Sequence, residues 1–554
     1  MKMLDINLKR VPFSIRGSYW AISYMTRDIW KDRLKGKREG LYLRNLHACS
    51  MNQEMIHFDV PGTREVKGRV GKIDILGEKG KVSFTFDGWE CIRVRSERES
   101  LKIHNISESD VFLRISKDLF LLNLPRSCSQ IHIKVLKGKV ETEHEWNGVS
   151  SGKVSIHIKP ENGIFELEIF EESPGPGDFE KAVRRNEENF KNFLKRFGLQ
   201  KEKKAKTSAV HILWSSTVRP FGNIKREAVL MSKNWMNAVW SWDHTFNALA
   251  LSKAHPELAW NQLKIIFDHQ KENGKIPDFV NDAISYWNFV KPPIHGWILS
   301  KMMENIDLDT EQLKEAYEWL SGWTEWWLSE MDYDGDGVPQ YNHGNDSGWD
   351  NSTVFLKEPS VESPDLSSYL ILQMETLANL AEKLGMKEIS EKWNERSKEL
   401  LSKMKDHFIK RGRITAVKSG SHEVIDSKSL LPLMSILVID KFSEEVRKYI
   451  VNEIEDFVTP FGLATEKPTS EYYEDDGYWR GPTWAPPVFM VYEGFKKVGQ
   501  LNKAQDIANR FLRTVEREGF AENFDSLKGK GLRDRTLTWT ASVYIVLSEE
   551  QWKS

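Results

Sequence analysis

The chain has 554 residues, 40% of them apolar and 29% charged, with a formal net charge of −2. That length exceeds one ordinary core and predicts two or three domains, or a large helical toroid plus a smaller module. The near-neutral balance gives no reason to expect nucleic acid or a membrane surface as a partner. Three sparse cysteines, Cys49, Cys91 and Cys128, lack metal-ligand spacing and argue against a disulfide framework or a zinc site. The first residues lack the apolar stretch of a secretory signal, and no apolar run approaches the roughly 18 residues that span a bilayer. These features predict a soluble, cytoplasmic protein.

Up to about residue 172 the hydrophobic period is two. The runs "KVSFTF" (Val82, Phe84, Phe86), "VFLRIS" (Val111, Leu113, Ile115), "KVSIHIK" (Val154, Ile156, Ile158) and "FELEIF" (Phe165, Leu167, Ile169) each place their apolar residues on one face. Glycine and Asn/Asp/Ser clusters separate them, which predicts half-buried strands of an antiparallel β-sandwich over 1–172. "EESPGPGDF" (171–179) breaks the pattern. A charged linker helix follows, and 173–204 reads as a connection.

From about residue 205 the period becomes 3.6. Helical segments are expected near 208–217, 233–253, 256–272, 294–305, 310–330, 366–384, 387–409, 443–457, 482–498, 501–518 and 537–549. "LKEAYEWLSGWTEWWL" lays Leu313, Tyr317, Leu320, Trp323 and Trp327 along one stripe. No repeat of fixed period stands out. Helices alternating with long polar loops over 205–554 predict an all-α (α/α)6 barrel whose site lies in the central cavity.

Of the 21 tryptophans, 17 follow residue 200. Most belong in a helical core, but indoles beside polar groups also suit sugars, whose C–H faces stack on rings. Four stretches combine aromatic and hydrogen-bonding residues: "NAVWSWDHTFNAL" with Trp240, Trp242, Asp243 and His244; "HGNDSGWDNSTVF" with Asp346, Trp349, Asp350 and Asn351; "EYYEDDGYWRGPTWAPP" with Tyr478, Trp479, Arg480 and Trp484; and "GFAENFDSLKGKG" with Glu522 and Asp525. This inventory fits glycoside hydrolysis, which needs a protonated carboxyl group on one side of the sugar and a carboxylate on the other. The acid must be kept protonated by burial or a nearby negative charge. Composition does not choose between Asp346 and Asp350. A serine-hydrolase elbow, a P-loop, a dinucleotide glycine fingerprint and H-E-x-x-H are all missing from the sequence, and no cofactor is expected. "DYDGDG" (Asp332, Asp334, Asp336) resembles the start of a calcium loop, but its twelfth position is His343 rather than glutamate. A turn rigidified by Asx bonds is the expectation, and a calcium site outside the EF-hand pattern stays open.

At these stretches the sequence resembles inverting α-glycosidases of glycoside hydrolase family 63, especially bacterial members similar to mannosylglycerate and glucosylglycerate hydrolases, with trehalases as more distant relatives. The motifs are "WSWDHTFNALAL", "DYDGDGVPQYNHGNDSGWDNST", "DLSSYLILQMETLANLAEKLG", "YWRGPTWAP" and "ENFDSLKG…TWTAS", in family order over about 230–545. The resemblance implies Asp350 as general acid and Glu522 as general base. It implies a sugar-binding pocket lined by Trp242, Asp243, His244, Trp349, Asn351, Tyr478, Trp479, Arg480, Gly481, Trp484 and Trp539. "TWAPPVF" departs from the family and leaves the leaving-group subsite open. The first 172 residues carry no motif of the family. The expected activity is exo-acting removal of a terminal α-glucosyl or α-mannosyl residue from a carbohydrate. The competing readings are a sugar epimerase or lyase on the same toroid, working through His244, and a non-catalytic carbohydrate-binding protein.

Overall fold

The computed structural model describes residues 4–50, 53–173, 175, 177–198 and 204–550. The chain forms two compact units, 1–238 with 281–283, and 239–280 with 284–554.

The first unit is built from antiparallel strands. Among its described residues one sheet has nine, in the order Asp5–Ile6, Glu65–Arg69, Lys72–Leu76, Lys81–Phe86, Cys91–Glu97, Ile164–Phe170, Ser129–Lys137, Leu119–Leu124, Val111–Arg114. The other has six: Lys139–Glu143, Ser155–Lys159, Leu101–Asn105, Glu54–Asp59, Gly40–Asn45, Trp20–Met25. Their inner faces meet, with the Phe58 and Phe84 rings 4.9 Å apart. Val82, Phe84, Phe86, Val154, Ile156, Ile158, Phe165, Leu167 and Ile169 are buried, as their alternation predicts. "VFLRIS" is the exception. Leu113 and Ile115 are about half exposed and Phe112 is buried instead. The strand lies at the edge of the nine-stranded sheet, where the face set by Phe112 packs inward and the opposite face meets solvent.

The helix Phe179–Lys195 is more than a linker. Asp178 caps it by accepting from Lys181 N–H at 2.8 Å. Its buried face (Ala182, Val183, Phe190, Phe193, Leu194) belongs to the first unit, and Asn186 Nδ2 donates to the Phe86 carbonyl at 2.8 Å. Two further expectations are corrected. The helix Lys204–Ser216 and the segment up to Ala238 cluster with the sheets, so the unit boundary lies at 238/239 rather than 204/205. The helix expected over 233–253 begins only at Asp243. Residues 233–237 are instead held by tertiary bonds: Lys233 Nζ donates to Ser14 Oγ and the Ser18 carbonyl, and the buried Arg44 guanidinium donates to the Lys233 carbonyl at 2.9 Å. Those partners outweigh helix propensity.

The second unit is helical, with short two- and three-stranded ribbons in its loops. Among its described residues, Asp243–Ser252, His295–Met302, Pro364–Lys383, Leu431–Lys441, Ala485–Lys497 and Thr538–Glu550 each pack against the next, and the last packs against the first. These six are buried nearly all round. Of their partners, Pro256–Phe267 is buried on most sides, whereas Thr310–Glu330, Lys387–Phe408, Glu444–Glu455 and Leu501–Glu518 bury one stripe. Leu501–Glu518 does so with Ala504, Ile507, Ala508, Phe511 and Val515. The seam between first and last inner helices is stitched by polar bonds: Asn247 Nδ2 donates to Thr538 Oγ1 at 3.1 Å, and Asn247 Oδ1 accepts from Ser542 Oγ at 2.7 Å. Leu431–Lys441 is the helical segment that periodicity did not reveal, because "LPLMSILVID" is apolar on every side.

Candidate active site

The loops that precede these six helices carry the candidate residues. Asp243 opens the first of them. Asp278 and Lys291 lie in the segment before His295–Met302. Asp350 lies before Pro364–Lys383, Tyr478 before Ala485–Lys497, and Glu522 before Thr538–Glu550.

The loop of Asp346 and Asp350, the candidate acid loop, runs from strand Gln340–Tyr341 to its partner Val361–Glu362. Within it Asp346 is spent on shape: one oxygen accepts from Val290 N–H and the other from Asn342 N–H, both at 3.1 Å. Asp350 is bonded only within its own residue and to the Tyr478 hydroxyl, and its side chain is 33% exposed. This contrast separates two carboxyl groups that composition left equal. Gly348 lets the loop approach Trp242. Its φ is +73°, and a Cβ there would lie 2.6 Å from the indole.

Tyr478 stands at the centre. Its hydroxyl bonds to Asp350, and its ring lies 4.7 Å from the Arg533 guanidinium carbon. Asp350, Glu522 and Asp243 all act electrostatically on its phenol, and burial pushes its pKa well above the usual value. Tyr478 has φ +65°, a costly backbone for a bulky residue and one that accumulates at functional sites. Asn351 maintains it: Nδ2 donates to the Gly477 carbonyl and Oδ1 accepts from Trp479 N–H, both at 2.9 Å. Asn351 is therefore a clamp on the 477–479 turn. The same segment is bridged to the Glu522 loop through Thr483 and Phe524, whose backbones exchange two hydrogen bonds.

Behind these groups five indoles form one wall. Trp349 stacks on Trp479 at 4.7 Å and Trp479 on Trp484 at 4.1 Å, while Trp539 meets Trp242, Trp479 and Trp484 edge-on. All five are almost fully buried. They make an apolar surround that weakens charge solvation.

The carboxyl groups respond accordingly. Burial, and then the like charge of Asp534, push Glu522 up to about 8, with Arg533 pulling the other way. Burial pushes Asp243 up to about 8 and Asp278 up to about 6, each opposed by Lys291. Asp350 is raised by burial against the pull of Lys291, His343 and the Tyr478 bond. Lys291 Nζ lies 3.3 Å from Asp278 and 3.9 Å from Asp350, and it donates to the Asn345 carbonyl at 2.8 Å. Lys291 and Asp278 were outside the four candidate stretches. Their signal was the aromatic run "SYWNFVKPP" after "KIPDFV", which has the same mixed character.

Three of the expected pocket residues have contacts of their own within the protein. His244 is buried in its helix, with Nδ1 2.9 Å from the Trp240 carbonyl and its ring against His295. Burial lowers its pKa to about 4, so it is neutral. Arg480 donates to Glu474 at 2.7 Å. Gly481 has φ +142°, and a Cβ there would lie 2.3 Å from the Glu474 carbonyl, so its role is close backbone approach. Of "DYDGDG", Asp332 accepts from Gly335 and Gly337 N–H and shapes a turn.

Residues 236–540, more than half of the chain, match the family described as the mannosylglycerate hydrolase MGH1-like glycoside hydrolase domain. The chain belongs to that family. It is a glycoside hydrolase of family 63. A mannosylglycerate hydrolase of Thermus thermophilus is 38% identical over 81 residues, a stretch that covers 15% of this chain and 20% of that relative. The structure of a family 63 mannosylglycerate hydrolase of Thermus thermophilus in complex with glucose aligns at TM-score 0.54 and 21% identity, over 62% of this chain and all of that one. A bacterial glucoamylase complexed with acarbose aligns at TM-score 0.66 and 9% identity, over 100% of this chain and 95% of that one. The β-rich N-terminal unit, which carries no family 63 motif, thus has a counterpart in fold in that glucoamylase. Among the described residues, no helix is long and apolar enough to cross a membrane.

Proposed function

We propose that this glycoside hydrolase is an inverting, exo-acting α-glycosidase that releases a terminal α-mannosyl or α-glucosyl residue from a small glycoside such as a glycosyl-glycerate. Asp350 is the general acid and Glu522 the general base. The observation that carries this reading is the convergence of Asp350, Glu522 and Asp243 on Tyr478, from three loops before inner helices. The packing of the inner helices, each on the next and the last on the first, supports an (α/α)6 arrangement.

The roles follow from position. A leaving group departs toward solvent, so its proton donor must stand at the mouth, and Asp350 is the partly exposed carboxyl group. Glu522 is 4% exposed and lies deeper, where a single water is held against the far face of the sugar. Its proton affinity is high in the free site, and Arg533 beside it favours the ionised form that a base requires. Asp243, buried with one oxygen that lacks a protein partner, offers an acceptor to a sugar hydroxyl. Neutral, core-bound His244 does not suit the proton transfers of an epimerase or lyase.

Proton NMR of the first product anomer, on a panel of α-mannosyl- and α-glucosyl-glycerates, trehalose and p-nitrophenyl α-glycosides, tests the proposal. A β-anomer released first is expected. An α-anomer released first overturns the single displacement.

A further inference from the structure

A second set of ligand-type side chains lies at the root of the acid loop. Glu362 sits in the strand that closes the loop, opposite Gln340, and its carboxyl group is fully buried. Glu362 Oε2 lies 2.5 Å from His407 Nε2 and 3.8 Å from His422 Nε2. Glu362 Oε1 is buried without a hydrogen-bond partner. Asp336 Oδ2 lies 3.4 Å from His407 Nδ1 and 3.5 Å from His422 Nε2. The two imidazoles are 4.6 Å apart at 74°. One donor atom from each of Asp336, Glu362, His407 and His422 falls within 4.8 Å of the others.

An unpartnered oxygen on a buried carboxylate is costly unless a cation meets it. Four donors bound tetrahedrally by zinc are separated by about 3.3–3.5 Å. The His422 Nε2 distances of 3.5 Å to Asp336 and 3.8 Å to Glu362 lie near that, and His407 would give one ring nitrogen, Nε2 beside Glu362 or Nδ1 beside Asp336. Two nitrogens among four donors favour a borderline metal over calcium, which takes oxygen ligands. Asp334 accepts from Gly420 N–H at 3.0 Å and lies 2.9 Å from His422 Nε2, the same nitrogen that faces Asp336 and Glu362, so a bound ion would take the place of the proton in that bond.

The geometry points to a structural site for a zinc-class divalent cation held by Asp336, Glu362, His407 and His422. Its placement gives it a purpose. Asp336 stands just before strand Gln340–Tyr341 and Glu362 in the strand that ends the loop. His422 follows strand Val417–Lys418, which pairs with Glu362, and His407 closes the helix Lys387–Phe408. One ion thus clasps both ends of the loop that carries Asp350. The competing account is a cluster of protonated imidazoles on carboxylates, in which protons replace the metal.

The full chain, stripped with chelator and dialysed, is titrated with Zn2+ and with Ca2+ by calorimetry and followed by thermal melting. One Zn2+ per chain, a saturable rise in Tm and weaker Ca2+ binding are expected. His407→Gln with His422→Gln should weaken Zn2+ binding about a hundredfold or more. Asp336→Asn, which keeps a polar side chain of the same shape, should weaken it about tenfold or more and guards against misfolding of the double variant. Co2+ in place of Zn2+ should give a visible ligand-field band that is lost in both variants. Tighter Ca2+ binding, no binding above one ion per ten chains, or unchanged Zn2+ binding in the variants overturns the site.

Discussion

Asn351 Oδ1 accepts from the Trp479 backbone N–H at 2.9 Å, while its amide donates across the same turn to Gly477. The residue beside the acid thereby fixes Tyr478 in its left-handed backbone. Asn351→Ala should leave the fold intact by circular dichroism and lower kcat/KM by about 10- to 100-fold, the cost of misplacing a catalytic surround by an ångström or so. Unchanged kinetics would remove Asn351 from its clamping role.

The acid and base roles separate by leaving group. Asp350→Asn should lower kcat about 10²- to 10⁴-fold on a natural glycoside. On an α-glycosyl fluoride, whose departure needs little protonation, that loss should shrink. Glu522→Gln should be impaired on both. If the fluoride rescues Glu522→Gln and not Asp350→Asn, the two roles are exchanged.

Lys291 holds down the proton affinity of Asp350, Asp278 and Asp243. Lys291→Met should therefore shift the limb of the kcat/KM profile set by Asp350 to higher pH. A profile that moves to lower pH, or does not move, contradicts this electrostatic link.

Glu522 and Asp243 are both raised to about 8 by burial. A carboxyl group raised on folding contributes stability that is fully present below its unfolded value, about 4. That stability is lost as pH rises through the folded value. Glu522→Gln and Asp243→Asn should thus raise Tm by a few degrees, roughly 2–6 °C at pH 9. The gain should be smaller at pH 5, where the wild-type groups are protonated in the folded state. A larger gain at pH 5 than at pH 9 has the wrong sign.

Gly348→Ala forces a Cβ to 2.6 Å from Trp242 at φ +73°. The loop must shift, which should cost about 1–3 kcal/mol of stability in urea unfolding and lower kcat/KM in the same variant. A neutral effect on both would mean that the loop yields without consequence.

Much of this protein was written locally. Alternation in "KVSFTF" and "FELEIF" is a property of successive side chains, and those strands bury the predicted residues. The stripe in 310–330 and the spacing in 501–518 likewise mark their helices to the residue. The carboxyl and indole residues of the four stretches were legible by type, and the family by their combination. What no local pattern holds is partnership. "VFLRIS" alternates correctly, yet only its place at a sheet edge decides that Leu113 and Ile115 face water. "LPLMSILVID" has no polar face to betray a period, because the surrounding helices cover it on all sides. Asp346 and Asp350 are alike in sequence; the amides of Val290 and Asn342, remote or turned back on the loop, engage one and leave the other open. Lys291 and Asp278 meet Asp350 only when their loops fold against the acid loop. Residue order alone sets the period of each element and the chemical types available to the site. Packing in three dimensions chooses which carboxyl groups lose their water and which charges they then face, and those two conditions set their proton affinities.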